Sequence, residues 1–193
     1  MKFALPFLAT SLVLFAAAPA KPIIDNERVS VWDVTAGQNQ AAPAGDTVTI
    51  YLTAGAKHHP RDVVFTKRGT APEDPGARAI VIGLKDHPVP PLPNTSGLPN
   101  AFPRPGVKKV LENDRVIVWD YTWLPGRPTP MHFHDKDVVV VYFENGSLQS
   151  TTPDKQVTVN DYSFGNVRFN RRDRSHTELL VKGTEHAVMM ELK

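Results

Sequence analysis

Hydrophobic positions along this chain fall in short runs rich in β-branched and aromatic residues, each closed by turn residues. Val29-Ser30-Val31-Trp32, Thr47 to Leu52, Val116 to Trp119, Val138 to Phe143, Gln156 to Val159, Thr177 to Val181 and Ala187 to Leu192 all read as β-strands. Past the first twenty residues no window carries a 3.6-residue apolar stripe. Many short strands with no helical intervals predict an all-β protein of antiparallel barrels or sandwiches. Asn145-Gly146, within Glu144 to Ser147, predicts a tight hairpin turn.

The pattern occurs twice. Ile24 to Thr35 and Leu111 to Thr122 agree at seven of twelve positions, namely Asn, Arg, Val, Val, Trp, Asp and Thr, at an offset of 87. A second echo closes each unit, Ala79 to Lys85 against Ala187 to Lys193. One unit has been duplicated. Between the copies, residues 86–107 carry prolines at 88, 90, 91, 93, 99, 103 and 105, which remove backbone donors and favour extended geometry. This segment is expected to be a stiff linker laid along the surface. The predicted organisation is therefore 1–20, 21–85, 86–107 and 108–193.

Residues 1–20 open with Met1-Lys2, continue through an apolar stretch and end Ala18-Pro19-Ala20, the order of a secretory signal peptide. Cleavage after Ala20 is expected, giving a periplasmic or secreted product with no stable membrane span. The whole chain carries 22 Lys+Arg against 20 Asp+Glu, a balance that speaks against nucleic acid as a partner. There is no cysteine, so disulfides and thiolate metal sites are excluded and any metal must rest on imidazole and carboxylate.

Seven histidines are present, and three matter most. His132 and His134 flank one residue, so on a strand both imidazoles leave the same face. His176 lies in a later strand-like segment. Three imidazoles with an open position suit a divalent transition metal: Fe2+, Zn2+, Mn2+, Ni2+ or Cu2+. Glu178 shares the face of His176 and is a candidate ligand or general base. Asp135 and Asp137 are expected in the turn after His134. Arg168, Arg171, Arg172 and Arg174 cluster before His176; Arg168, Arg172 and Arg174 are candidates for holding an anionic substrate through a guanidinium fork, against a solvated-loop reading of the same residues. His58 and His59 are expected to be solvated, His186 to sit at a hairpin exit, and Trp32, Trp119, Met189 and Met190 to pack.

Gly126, five residues, His132-Phe133-His134 and then Gly146 resemble the first motif of the cupin family of small β-barrels, with Val139 where that family has a glutamate. Asn160 to Gly165 leads to His176 by a longer, more polar route than the family's second motif. Gly45 and Thr47 stand at the repeat offset from His132 and His134, so the first unit has no matching ligands. The resemblance implies two cupin-like jelly-roll barrels in tandem, a bicupin with a degenerate first unit, and a possible homodimer. Three-histidine sites without the carboxylate are similar to those of cupin-like dioxygenases acting on thiols, diketones and salicylate- or gentisate-type aromatics, which favours Fe2+. Two functions stay open: a dioxygenase-like enzyme acting on a small anionic molecule, and a non-catalytic periplasmic protein that binds or senses a small ligand.

Overall fold

The computed structural model describes residues 21–35, 43–68 and 77–193; the expected signal peptide lies outside them. Its strands, in chain order, are β1 (Ile24–Asp25), β2 (Val29–Val34), β3 (Thr47–Tyr51), β4 (Val63–Thr66), β5 (Ala79–Leu84), β6 (Lys108–Glu112), β7 (Val116–Trp123), β8 (His132–His134), β9 (Val138–Tyr142), β10 (Gly146–Thr151), β11 (Val157–Tyr162), β12 (Val167–Asn170), β13 (Arg174–Gly183) and β14 (Glu185–Leu192). Three sheets result, ordered β1-β2-β5-β3-β4, β12-β9-β14-β7-β6 and β11-β10-β13-β8. The protein is all-β, as expected, and no described helix is long and apolar enough to cross a membrane.

The second sheet is covered on both faces, and its sequence shows why. Every residue of β9 and β14 is buried, so neither strand alternates apolar with polar as a half-solvated strand would. Val139, Val141, Val188, Met190 and Leu192 face the first sheet. Val138, Val140, Ala187 and Met189 face the third, where they meet Leu148, Leu180, Trp119 and Trp123 in the interior of a barrel.

The first and second sheets are copies. Read as β1-β2-β5-β3-β4 and β6-β7-β14-β9-β12 they have the same order, and their registers agree: Val29 pairs with Leu84 as Val116 with Leu192, and Val48 with Phe65 as Val139 with Phe169. The core between them is built from equivalent pairs, among them Val29 and Val116, Val31 and Val118, Ile82 and Met190, Leu84 and Leu192. Full burial of each such side chain stabilises by roughly 1.5–3 kcal/mol. Counterparts of β8, β10, β11 and β13 are not among the described residues of the first unit, which supplies one sheet where the second supplies a barrel.

Two arginines of the repeat lock the copies reciprocally. Arg28 donates to the Asp137 carboxylate at 2.7 Å and to the Lys193 carbonyl at 3.2 Å. Arg115 lies 3.5 Å from the Asp46 carboxylate and donates to the Lys85 carbonyl at 2.9 Å. The repeated asparagines serve the same turns: Asn26 accepts from the backbone of Arg28 and Val29, and Asn113 from Arg115 and Val116.

Three expectations are corrected. Glu144 to Ser147 is not a hairpin turn, because β9 and β10 belong to different sheets and the chain crosses between them there. Likewise β13 and β14 do not pair, so His186 is at no hairpin exit. It is buried at the start of β14, its ring 3.0 Å from the Asp120 carboxylate, 2.8 Å from the Thr122 hydroxyl and 3.2 Å from Arg61. The linker also goes deeper than a surface strap, with Ala101 and Phe102 buried in the barrel core.

The two arginine clamps should differ in strength. Arg28 and Asp137 are almost fully buried, so Arg28→Ala strands a carboxylate away from water and should cost about 3–5 kcal/mol in urea denaturation. Arg115 is one-quarter exposed and its ion pair is longer, so Arg115→Ala should cost about 1 kcal/mol. Equal losses would contradict the buried-charge account.

Candidate metal centre

The barrel brings the three histidines together through one short strand pairing. β8 lies against β13 with His132 opposite His176 and His134 opposite Arg174, so strand alternation points His132 and His134 to the face that His176 shares. The approach to β8 is pinned to β13 by Thr129, whose amide donates to the Glu178 carbonyl and whose hydroxyl accepts from the Glu178 amide, both at 2.8 Å. The other edge of β8 is held by the linker: the Ala101 amide donates to the Phe133 carbonyl at 2.8 Å and the Phe133 amide to the Pro99 carbonyl at 2.9 Å.

All three rings are buried and their ligand atoms lie within 4.8 Å of one another. The Nε2 atoms of His132 and His134 are 3.2 Å apart, and those of His134 and His176 3.4 Å. His132 Nδ1 meets the Pro130 carbonyl at 2.7 Å; a proton there leaves Nε2 with a free lone pair. Burial pushes the His132 pKa down to about 4, helped by the charges of Arg104 and His176. Burial likewise carries His134 well below the usual histidine range, with Arg174 adding to it, and lowers His176. The rings are thus neutral at ordinary pH. Lone pairs that face one another at these separations repel unless a proton or a metal cation lies between them, and metal–nitrogen bonds of about 2.0–2.1 Å can bridge such distances. The donor set fits a divalent transition metal. His134 Nδ1 is buried and makes no hydrogen bond among the described residues, so packing, including an edge contact with Phe102, holds that side of the ring.

His134, His176 and Glu178 open onto a narrow cleft, walled also by Arg104, Trp123, Tyr142 and Arg174. Glu178 Oε1 is 3.8 Å from His176 Nε2, and its Oε2 accepts from Trp123 Nε1 at 3.2 Å. Burial alone would raise its pKa. The neighbouring His176, Arg104 and His132 and the Trp123 hydrogen bond outweigh that effect and hold it below the usual glutamate value.

The other sequence candidates scatter. Arg174 lines the cleft, its Nε bonded to the Arg171 carbonyl at 2.6 Å. Arg168 is exposed, lying over the Tyr162 ring at 5.7 Å. Arg172 points away from the cleft and donates to the linker carbonyl of Pro90 at 2.5 Å. Val139 faces the core between the two units, while Val138 and Val140 line the cleft. Asp137 is taken by Arg28 and Asp135 by Lys136. His59 is exposed, but His58 stacks on Tyr51 with ring centroids 4.2 Å apart.

Arg104 is the residue that sequence reasoning missed. It belongs to the proline-rich linker, yet its side chain is only 5% exposed. Its NH1 is 3.3 Å from His132 Nε2 and its NH2 3.6 Å from Glu178 Oε2. Phe102, Tyr121 and Trp123 surround the guanidinium at 5.1, 4.4 and 6.0 Å from their ring centroids. The available signal was slight: Phe102, the one aromatic residue of the proline-rich stretch, stands two positions before Arg104.

The sequence matches no family model and no curated protein. Solved structures do match. A cupin 2 conserved barrel domain protein from Leptotrichia buccalis aligns over 93% of this chain and 93% of its own, with 11% identity and a TM-score of 0.55. A cupin domain from Bordetella pertussis aligns over 47% of this chain and 97% of its own, with 29% identity and a TM-score of 0.41. An RmlC-like cupin family protein with a double-stranded β-helix fold from Methanocaldococcus jannaschii covers 45% of this chain and 77% of its own, with 15% identity and a TM-score of 0.37. The Leptotrichia likeness spans nearly all of both chains and is one of fold.

The depressed histidine pKa values give the metal-free protein a signature in acid. An unfolded histidine takes up its proton near pH 6.5, whereas folded His132 refuses it down to about 4. Over that window the unfolded state binds more protons, so stability is present above pH 6.5 and is lost as pH falls toward 4. EDTA-treated protein should therefore lose stability between pH 6.5 and 4 in urea titrations, and His132→Gln should flatten the slope.

Proposed function

We propose that this protein, which has the cupin fold, is an exported metal-dependent enzyme of the oxygenase type, with one divalent transition metal held by His132, His134 and His176 and a small anionic substrate in the cleft beside it. The observation that carries this reading is the convergence of three buried, neutral Nε2 atoms at 3.2 and 3.4 Å. Fe2+ is the preferred ion, and Zn2+, Mn2+, Ni2+ and Cu2+ suit the same donors. Export rests on the composition of residues 1–20.

A bound ion there supplies a Lewis acid and, when redox-active, a path for electrons to dioxygen. The chain supplies the rest. Three neutral imidazoles leave the ion's charge uncompensated, which draws an anion into the cleft. Glu178 is ionised at neutral pH, and its Oε1 beside His176 is placed to take a proton from the substrate. Trp123 Nε1–H holds the other oxygen, so the carboxylate keeps its aim. Leu148, Leu180 and Met189 exclude water from the barrel interior.

Natively purified protein should contain about one metal ion per chain by elemental analysis, and added metal should raise Tm, since a ligand that binds the folded state alone stabilises by mass action. His132→Ala should abolish both. Glu178→Gln should keep the metal and lower substrate-dependent oxygen uptake by about 10²-fold or more. Protein that takes up no stoichiometric metal overturns the reading; full metal loading with no turnover across thiol, diketone and aromatic acid substrates favours a non-catalytic ligand-binding role.

A further inference from the structure

We infer that Arg104, carried by the linker, is the anion anchor of this cleft, and that the ligand class is a small carboxylate held between its guanidinium and the histidine cluster. The inference deepens the metal-dependent reading and rests on it for the ligand's second point of attachment.

The argument begins with unmet hydrogen bonding. Arg104 is a permanent cation with five N–H donors, and it is nearly buried. Its Nε and NH2 donate no hydrogen bond among the described residues, and the nearest carboxylate, Glu178, stands at 3.6 Å, beyond hydrogen-bond distance. A buried guanidinium with two such nitrogens is costly unless something fills the place. The cage of Phe102, Tyr121 and Trp123 favours a cation but accepts no N–H bond in the ring plane. What the guanidinium lacks is an acceptor with two oxygens.

Charge points the same way. A divalent ion at the histidines would sit close to Arg104, whose NH1 already approaches His132 Nε2 at 3.3 Å. Arg174 adds a second guanidinium to the cleft wall, and Glu178 is the one carboxylate lining it. One carboxylate cannot neutralise that positive surplus, so an anion is required between Arg104 and the ion. A carboxylate matches the guanidinium fork in two parallel hydrogen bonds. The narrowness of the cleft limits it to a small acid, and the short distance to His132 places the atoms next to the carboxylate within reach of the metal position.

The same geometry decides among the arginines. Arg168 is exposed over Tyr162 and Arg172 is spent on the Pro90 carbonyl. Arg104 alone combines burial, unmet donors and contact with a histidine Nε2 among these candidates.

The test uses the full chain, EDTA-treated and Zn2+-loaded, titrated calorimetrically with formate, acetate, lactate and oxalate, and with acetamide and lactamide as neutral controls. Carboxylates should bind both forms and bind the Zn2+ form more tightly, while the amides do not. Arg104→Met should weaken carboxylate binding about 10- to 100-fold, the range for hydrogen bonds to charged groups, with Zn2+ stoichiometry retained. Arg104→Lys keeps a charge and a long stem if the methionine variant fails to fold, and it should still weaken oxalate by at least 10-fold because its ammonium cannot make the paired contact. Arg168→Met should bind as the parent does. Unchanged affinity in the Arg104 variants, a loss that follows Arg168 instead, or no preference for acids over amides overturns the inference while leaving the metal reading intact. Carboxylate binding that depends on Arg104 in protein unable to hold Zn2+ overturns the metal reading and leaves the anchor standing.

Discussion

A sheet with both faces buried is the constraint on which this molecule depends. β9 and β14 at its centre must satisfy a barrel interior on one side and a second sheet on the other, and they do so with residues buried at every position. Neither face has room for a solvated polar group: Glu191 is engaged by Trp119 Nε1 at 2.9 Å, while Glu185 at the start of β14 keeps one buried oxygen without a hydrogen bond among the described residues. The three clustered histidines accordingly come from β8 and β13, strands of the opposite sheet, and reach the cleft from outside that doubly packed layer. Sheets and site are divided by function within one barrel.

The duplication gains a physical meaning from the same layer. Its two copies pack as the halves of a twofold-symmetric dimer would, with equivalent residues of both in the shared core and Arg28 and Arg115 crossing the boundary in opposite directions. Four of the seven repeated identities serve that arrangement alike: Asn shapes the turn, Arg clamps the other copy and the two valines fill the shared core. The repeated aspartates diverge only in partner, Asp33 taking the Arg78 fork and Asp120 the His186 ring. The tryptophans diverge in cover. Trp119 is enclosed by the third sheet, whereas Trp32 is half-buried on a sheet with no described counterpart to it.

Much of this was legible in the sequence, and the failures have physical causes. Strand content, the repeat and the histidine triad all showed, because they rest on local periodicity and short spacing. Asn145-Gly146 misled because a turn dipeptide fixes a local bend and not which strands pair; here it marks a crossing between sheets. The substitution at Val139 was visible, but its orientation was not: strand phase turns Val139 to the inter-unit core and gives Val138 to the cleft. Arg168 and Arg172 are near His176 in sequence, while Arg104, 3.3 Å from His132 in space, lies in a segment defined by its prolines.

That segment ties the two units' roles together. It leaves the first sheet at Lys85, whose carbonyl is held by Arg115 and whose amide donates to the Arg28 carbonyl at 3.0 Å. Arg172 fixes it at Pro90 and the Asp135 carbonyl at the Leu92 amide, before it pairs with β8 and delivers Phe102 and Arg104. Phe102 stacks on Trp119 at 5.5 Å and touches the edge of His134, so the path of the linker bears directly on a ring whose Nδ1 has no hydrogen bond among the described residues. A proline-rich chain suits this task because its restricted backbone loses little further entropy when laid in place. The first unit contributes no histidine to the cluster, yet it anchors the start of the strap that presents a buried cation to it. The geometry of the histidine cluster therefore depends on the packing of the sheet that contributes no histidine to it.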